Sequence, residues 1–179
     1  MNLRQEELQT MHLSLSDVFR TVEDALATGQ AGVPVSARMQ WSIRAAAEAP
    51  AVAASLLSRL SSLFRSSLSR VMVQQHISGE VLNVLATLVG GQTISLSLFS
   101  NPAAAGSADG TSARAADLLV VGNHGVIRLE GDSADFSSAS DLHGNPPEQP
   151  EQLASFPSPG EVEAALRQSL QSNSAVKLA

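Results

Sequence analysis

The sequence predicts an α+β fold: a mostly antiparallel open sheet with helices packed on one face. Segments with the spacing of amphipathic helices stand beside segments in which apolar and polar residues alternate, the pattern of half-buried strands. Glycine-containing turns join several of the strands directly, and such short connections favour antiparallel pairing. Aromatic residues make up only 3% of the chain, so the core must consist mainly of Leu, Val, Ile and Ala.

The first predicted elements are a helix and a strand. In LSLSDVFRTVEDALATG an apolar residue recurs every three or four positions until Gly29, which predicts an amphipathic helix. The following segment, VPVSARMQWSIR, alternates strictly and predicts a half-buried strand. The polar side of this strand carries Ser36, Arg38, Gln40, Ser42 and Arg44.

A second helix and three strands follow. Apolar residues share one helical face from Pro50 to Phe64, opposite a face of Ser and Arg. RVMVQQH, EVLNVLATLV and TISLSLF are β-branched and partly alternating, and Gly90 and Gly91 stand in hairpin position between the last two. Residues 101–115 are mostly small and polar and predict a flexible connection.

The stretch DLLVVGNHGVIRLEG resembles the start of a phosphate-binding loop, because an apolar run precedes Gly122 and Gly125. A phosphate loop needs a helix after the turn, since the amides of a helix N-terminus hold the phosphate. Here VIRLEG alternates and ends at Gly131, and neither a G-x-G-x-x-G nor a P-loop motif is present. We therefore predict two strands joined by a tight turn.

The composition predicts five regions: an N-terminal arm (1–12), the α+β sheet domain (13–131), an acidic Ser/Pro-rich linker (132–158), a C-terminal helix (159–173) and a tail (174–179). In the helix Ser158 is the predicted N-cap, Pro159 suits the first turn, and Glu161 completes a capping box.

Charge and composition exclude several classes of function. The net charge of −6 is unevenly distributed along the chain. The segment from Glu130 to Glu163 contains eight acidic residues and no Lys or Arg. The basic residues are scattered, which argues against nucleic-acid binding. The uncharged stretch 81–108 contains Gly90, Gly91 and Pro102, so we expect no membrane span. With no cysteine and no leader-like segment at the N-terminus, the expected location is the cytoplasm.

The sequence indicates no catalytic, cofactor-binding or metal-binding residue. His76 and Glu80 have a metal-ligand spacing, but Gly79 and the flanking strand patterns argue against a helix there. The many serines lack a G-x-S-x-G elbow. The acidic pairs Glu23 with Asp24 and Glu161 with Glu163 occupy exposed helix positions, where they serve as solubility charges.

One polar set remains as a candidate ligand or partner face: Arg38, Gln40, Ser42 and Arg44. Two Arg side chains on one strand face can meet an anionic ligand or a partner's carboxylate. An ordinary solvent-facing sheet surface explains the same pattern equally well.

The order of elements resembles the C-terminal domain of the Gfo/Idh/MocA family of NAD(P)-dependent sugar and cyclitol oxidoreductases. The resemblance runs from Val18 to Asp132 and rests on three segments. These are the turn with Gly29, Gly32, Pro34 and Val35, the hairpin around Gly90 and Gly91, and the hairpin around Gly122 and Gly125.

The departures from the family matter more for function. The sequence has no Rossmann fingerprint and no Glu-Lys-Pro motif, its single lysine is Lys177, and only Glu48 stands near the family's acid/base position. No catalytic residue carries over, and NAD(P) is implied only for a full-length member or a partner subunit. The resemblance implies a substrate-shaping and oligomerisation domain that is truncated, split or degenerate and not catalytic alone. It further implies a homodimer through the open sheet face, or a Rossmann-bearing partner subunit.

Overall fold

The computed structural model describes residues 15–43, 45–100, 116–131 and 156–178. The predicted N-terminal arm, the connection 101–115, most of the acidic linker and Arg44 lie outside these residues. The described elements are α1 (Leu15–Ala27), β1 (Pro34–Ile43), a 3₁₀ turn (Ala46–Glu48), α2 (Ala49–Leu63), β2 (Leu68–Gln75), β3 (Val81–Leu88), β4 (Thr93–Ser100), β5 (Ala116–Gly122), β6 (Val126–Gly131), α3 (Pro159–Ser172) and β7 (Val176–Lys177).

The strands form one sheet in the order β6-β5-β1-β4-β3-β2-β7. Every adjacent pair is antiparallel except β1 and β4. The exception follows from the chain path. Helix α2 carries the chain from β1 to β2, and the meander β2-β3-β4 then reverses direction twice and returns to β1. The predicted fold class, a mostly antiparallel open sheet in an α+β fold, is confirmed.

Alternation along the strands places the apolar side chains of the sheet under the helices. Met39, Leu96 and Leu98 are fully buried, and they belong to one core with Leu56, Leu57 and Leu60 of α2 and Val162 and Leu166 of α3. Helix α2 packs against α3, and α3 packs against β2. Helix α1 contributes Val18, Phe19 and Val22 to the same core. The opposite face of the sheet carries no helix among the described residues.

The C-terminal helix begins with the predicted capping box. The Glu161 amide donates to Ser158 Oγ at 3.3 Å, and the Ser158 amide donates to Glu161 Oε2 at 2.7 Å. These hydrogen bonds lower the pKa of Glu161, with the bond from the Ser158 backbone as the main cause. Glu163 pairs with Arg167 at 2.7 Å. Both acids therefore have structural partners, beyond the solubility role expected from their exposure.

The edge of the sheet at β2 is closed by the C-terminal segment. Strand β7, within the predicted tail (174–179), pairs with Arg70 and Val71. Further along, the buried Ser169 hydroxyl accepts a hydrogen bond from the Val73 amide at 3.0 Å and donates to the Ser174 carbonyl at 2.6 Å. The backbone amide near the end of β2 therefore donates to a side chain. Without this side chain, a longer neighbouring strand would have to supply the acceptor.

Candidate functional site: the open face of the sheet

Strand β1 is the third of the seven strands, between β5 and β4, so its polar side lies in the interior of the open face. Arg38 is exposed, whereas Gln40 and Ser42 are partly buried by their neighbours. The predicted set is therefore brought together on one face as far as Ser42, and Arg44 lies outside the described residues.

The neighbours of Arg38 come from strands far away in sequence. Arg38 stands beside Ser95 of β4 on one side and Leu119 of β5 on the other. Gln40 stands between Ser97 and Asp117 in the same way. These flanking residues cannot be predicted from the sequence, because alternation shows which side of a strand is polar but not which strands lie next to it.

Asp117 of β5 is an acidic residue of this face, and its carboxylate is paired with Arg128. Two Arg128 nitrogens lie 3.4 Å from the two Asp117 carboxylate oxygens. Arg38, by contrast, has no acidic partner among the described residues. An exposed guanidinium that lacks a carboxylate partner is the kind of group that meets an anionic ligand or a partner's carboxylate.

Positive charge recurs at the edge of the open face. Arg70 of β2 is directly opposite Lys177 of β7 in an antiparallel pair, and both side chains are exposed. Like charges directly opposite across two strands repel each other. The described part of this face is therefore more basic than the net charge of the chain indicates.

Small polar and larger apolar side chains alternate between the charges. Thr93, Ser95 and Ser97 follow one another on the open side of β4, and the Ser97 hydroxyl donates to Asn83 Oδ1 at 2.8 Å. Leu85 of β3 stands beside Ser95, and its side chain is 52% exposed. An exposed Leu thus stands among hydrogen-bonding groups on this face.

The remaining candidates stand apart from this face or from one another. His76 and Glu80 flank the turn between β2 and β3, where His76 Nδ1 and Ser78 Oγ are 3.0 Å apart. His12 and His143 lie outside the described residues. Within the described ranges no three His, Cys, Asp or Glu side chains come together in a way that would hold a metal ion.

Gly122 and Gly125 form the turn of the β5–β6 hairpin, and the Gly122 amide donates to the Gly125 carbonyl at 2.8 Å. The turn packs against the connection between α1 and β1, where the His124 amide donates to the Ala31 carbonyl at 3.1 Å. A Cβ atom on Gly122 would run into the Ala31 carbonyl oxygen. These glycines thus permit close contact between two backbones and are followed by a strand, so they do not form a phosphate loop.

Gly90 and Gly91 form the turn between β3 and β4. Gly91 has a φ of 82°, a left-handed conformation that suits glycine, and its amide donates to the Leu88 carbonyl at 2.9 Å.

Among the described residues no helix is long and apolar enough to cross a bilayer.

Comparisons with known proteins identify solved structures with a similar fold. No family model and no curated protein sequence matches the chain. Among solved structures, myo-inositol dehydrogenase from Lactobacillus casei, in complex with NAD(H) and myo-inositol, matches with a TM-score of 0.63 at 13% identity, covering 90% of this chain and 58% of that one. A putative myo-inositol dehydrogenase from Sinorhizobium meliloti 1021 matches with a TM-score of 0.60 at 13% identity, with coverages of 90% and 62%.

A third match, myo-inositol 2-dehydrogenase from Lactobacillus plantarum, has a TM-score of 0.57 at 12% identity and covers 91% of this chain and 62% of its own. Identities this low show the fold alone. The chain spans about 60% of the length of these dehydrogenases. It therefore has the fold of part of the inositol dehydrogenases of the Gfo/Idh/MocA family, as the resemblance in its sequence predicts.

Proposed function

We propose that this chain acts as the substrate-shaping and oligomerisation domain of a Gfo/Idh/MocA-type oxidoreductase and is not catalytic alone. The observation that carries the proposal is the fold, which covers 90% of this chain and about 60% of the matching dehydrogenases. Because the printed sequence holds no Rossmann fingerprint, NAD(P) would bind to a full-length form or a partner subunit. Its lack of cysteine fits action in the cytoplasm.

The proposed association surface is the open face, in a homodimer or against a Rossmann-bearing subunit. Six strands about 4.8 Å apart, each with about seven residues rising about 3.3 Å, cover roughly 670 Å². A stable interface buries about 800 Å² on each partner. The sheet face with its rim therefore has about the area that a dimer needs.

Two measurements test this proposal on the full chain. Titration with NADH, followed by nicotinamide fluorescence, should show no saturable binding. Sedimentation velocity should show a concentration-dependent dimer that Leu85→Arg weakens at least tenfold, because a charge would replace an exposed apolar side chain of the face. Ile77→Arg is the matched control, since Ile77 is fully exposed at the turn between β2 and β3.

Tight NADH binding would contradict the claim that the chain lacks its own cofactor site. A chain that stays monomeric at all concentrations in the absence of other proteins would leave the Rossmann-bearing partner as the proposed association. A dimer equally sensitive to both substitutions would place the interface elsewhere.

A second candidate is a module that binds an anionic small ligand or a protein through the face of Arg38, Gln40, Ser42 and Arg44. The observation in its favour is the exposed Arg38 without an acidic partner among the described residues. Replacing both Arg38 and Arg44 with Ala should abolish binding of inorganic phosphate, measured by calorimetry, while the circular dichroism spectrum stays unchanged. Equal phosphate binding by the variant and the parent chain would exclude this function.

A further inference from the structure

A cavity of about 680 Å³ opens between the C-terminal ends of α1 and α2. Cavities of this size accommodate small organic ligands. Its lining includes Leu26, Leu63 and Phe64, of which the last two are buried, and the walls continue along Gly32 and Pro34. The cavity is separate from the polar side of β1 and is not used by the proposed function.

Two carboxylates line this cavity. Glu23 and Asp24 come from the last two turns of α1, and neither side chain has a hydrogen-bond or ion-pair partner among the described residues. Arg65 is the one cationic side chain in the lining, and it lies just past the end of α2 with a φ of 50°. The side-chain charge of the lining is therefore −1 (two acids and one base).

The two helices add to this negative potential, because both end at the cavity. A helix C-terminus carries about half a negative charge from its unpaired carbonyl groups. Neither α1 nor α2 has a basic residue in its last turn to balance it. The Ser61 and Ser62 carbonyls accept hydrogen bonds from the backbone amides of the turn that follows α2, and Arg65 in this turn brings the one positive side-chain charge of the lining.

From the apolar floor and the negative rim together, we propose that this cavity binds a small organic cation with an apolar body, of the arylalkylammonium class. The ammonium group binds Glu23 and Asp24 and faces the two helix ends. The apolar body lies on Leu26, Leu63 and Phe64. Neither part of the lining alone selects this class: the floor would take any apolar molecule, and the carboxylates would take any cation.

The test uses phenethylammonium as the cation, with 2-phenylethanol and 3-phenylpropionate as neutral and anionic molecules of similar shape. Each is titrated into the ¹⁵N-labelled full chain, and the amide shifts of Ala27, Gly32 and Leu63 are followed. We expect saturable shifts with phenethylammonium only, weaker at higher salt. The double variant Glu23→Gln, Asp24→Asn should lose at least fivefold in affinity, and Ala27→Trp, which places a large side chain at an exposed position of the lining, should weaken binding.

Glu80→Gln is the control, because this exposed acid lies at the turn between β2 and β3 and not in the lining. It should bind phenethylammonium like the parent chain. Equal binding of the alcohol and the ammonium, no saturable shift with phenethylammonium, or unchanged affinity in the double variant would each overturn the proposal. The dimer and NADH measurements are read separately, so either proposal can fail without the other.

Discussion

Asn123 and Val33, 90 residues apart in the sequence, are joined by two hydrogen bonds: the Val33 amide donates to Asn123 Oδ1 at 2.9 Å, and the Asn123 amide donates to the Val33 carbonyl at 3.0 Å. This pair fastens the β5–β6 turn to the connection between α1 and β1. The glycines around it bring the two backbones close enough for these bonds to form.

Gly122→Ala tests this contact. The added methyl group would strike the Ala31 carbonyl oxygen, which is backbone and cannot rotate away, so we expect a loss of about 2 kcal/mol or more in the free energy of unfolding. Gly160→Ala is the control: it lies in α3, nothing stands within 4 Å of its added Cβ, and it should be neutral or gain up to about 1 kcal/mol. Urea denaturation measures both, and a Gly122→Ala chain as stable as the parent would contradict the contact.

Ser169→Ala should lower the free energy of unfolding clearly, although it removes only one oxygen atom. It leaves the buried Val73 amide without its acceptor, which costs about 1–3 kcal/mol. Ser55→Ala on α2 serves as the comparison, because that hydroxyl only bonds to the carbonyl of Ala51 in its own helix and should change stability little. If thermal unfolding shows equal stability for the two variants, the Ser169 bond does not close the edge of β2.

The capping box predicts a pH-dependent contribution from Glu161. Its pKa is lowered in the folded chain, so its ionised form stabilises the fold above the ordinary value of 4.5, and this contribution is lost as the pH falls through the lowered value. Glu161→Ala should therefore be less stable than the parent at pH 7 and equal to it at strongly acidic pH. Ser158→Ala should cost about 1 kcal/mol at pH 7. A destabilisation by Glu161→Ala that is the same at both pH values would refute the charged cap.

The pairing of Arg70 with Lys177 predicts a gain in stability. Lys177→Gln removes the repulsion between the like charges, and Lys177→Glu replaces it with attraction, for a gain of about 0.2–1 kcal/mol. The gain should shrink in 1 M salt, where charges are screened within about 3 Å. Guanidinium is itself a salt, so urea denaturation is the suitable measurement. No difference between the Gln and Glu variants at low salt would show that the two charges do not interact.

Much of the fold follows from short-range patterns that a sequence displays. The alternation in VPVSARMQWSIR and the helical spacing before Gly29 each identify one element, and the Ser158 and Glu161 pair identifies the start of α3. The parallel pairing of β1 with β4 does not follow, because it depends on where the meander returns after α2. Sequence patterns describe each element, whereas strand order depends on packing across the whole core.

The candidate site shows the same division. The polar side of β1 is visible from alternation, but the isolation of Arg38 from acids depends on which strands flank it. The cavity between α1 and α2 could likewise not be predicted, since Asp24 and Arg65 are far apart in the sequence and line the same cavity only in the folded chain. In the sequence Glu23 and Asp24 have the pattern of ordinary surface charges, because nothing there shows that they line a cavity together with the end of α2.

The interior position of β1, between β5 and β4, has a consequence for the order in which the chain can assemble. Both of its neighbours, β4 and β5, are synthesised after it, so its backbone edges stay unpaired until residues 93–122 have left the ribosome. Sheets that depend on pairing between strands distant in sequence fold slowly, and their unpaired strand edges are prone to aggregation until the pairing forms. Arg38 and Gln40, one charged and one polar side chain within β1, are of the residue types that disfavour aggregation of an unpaired strand.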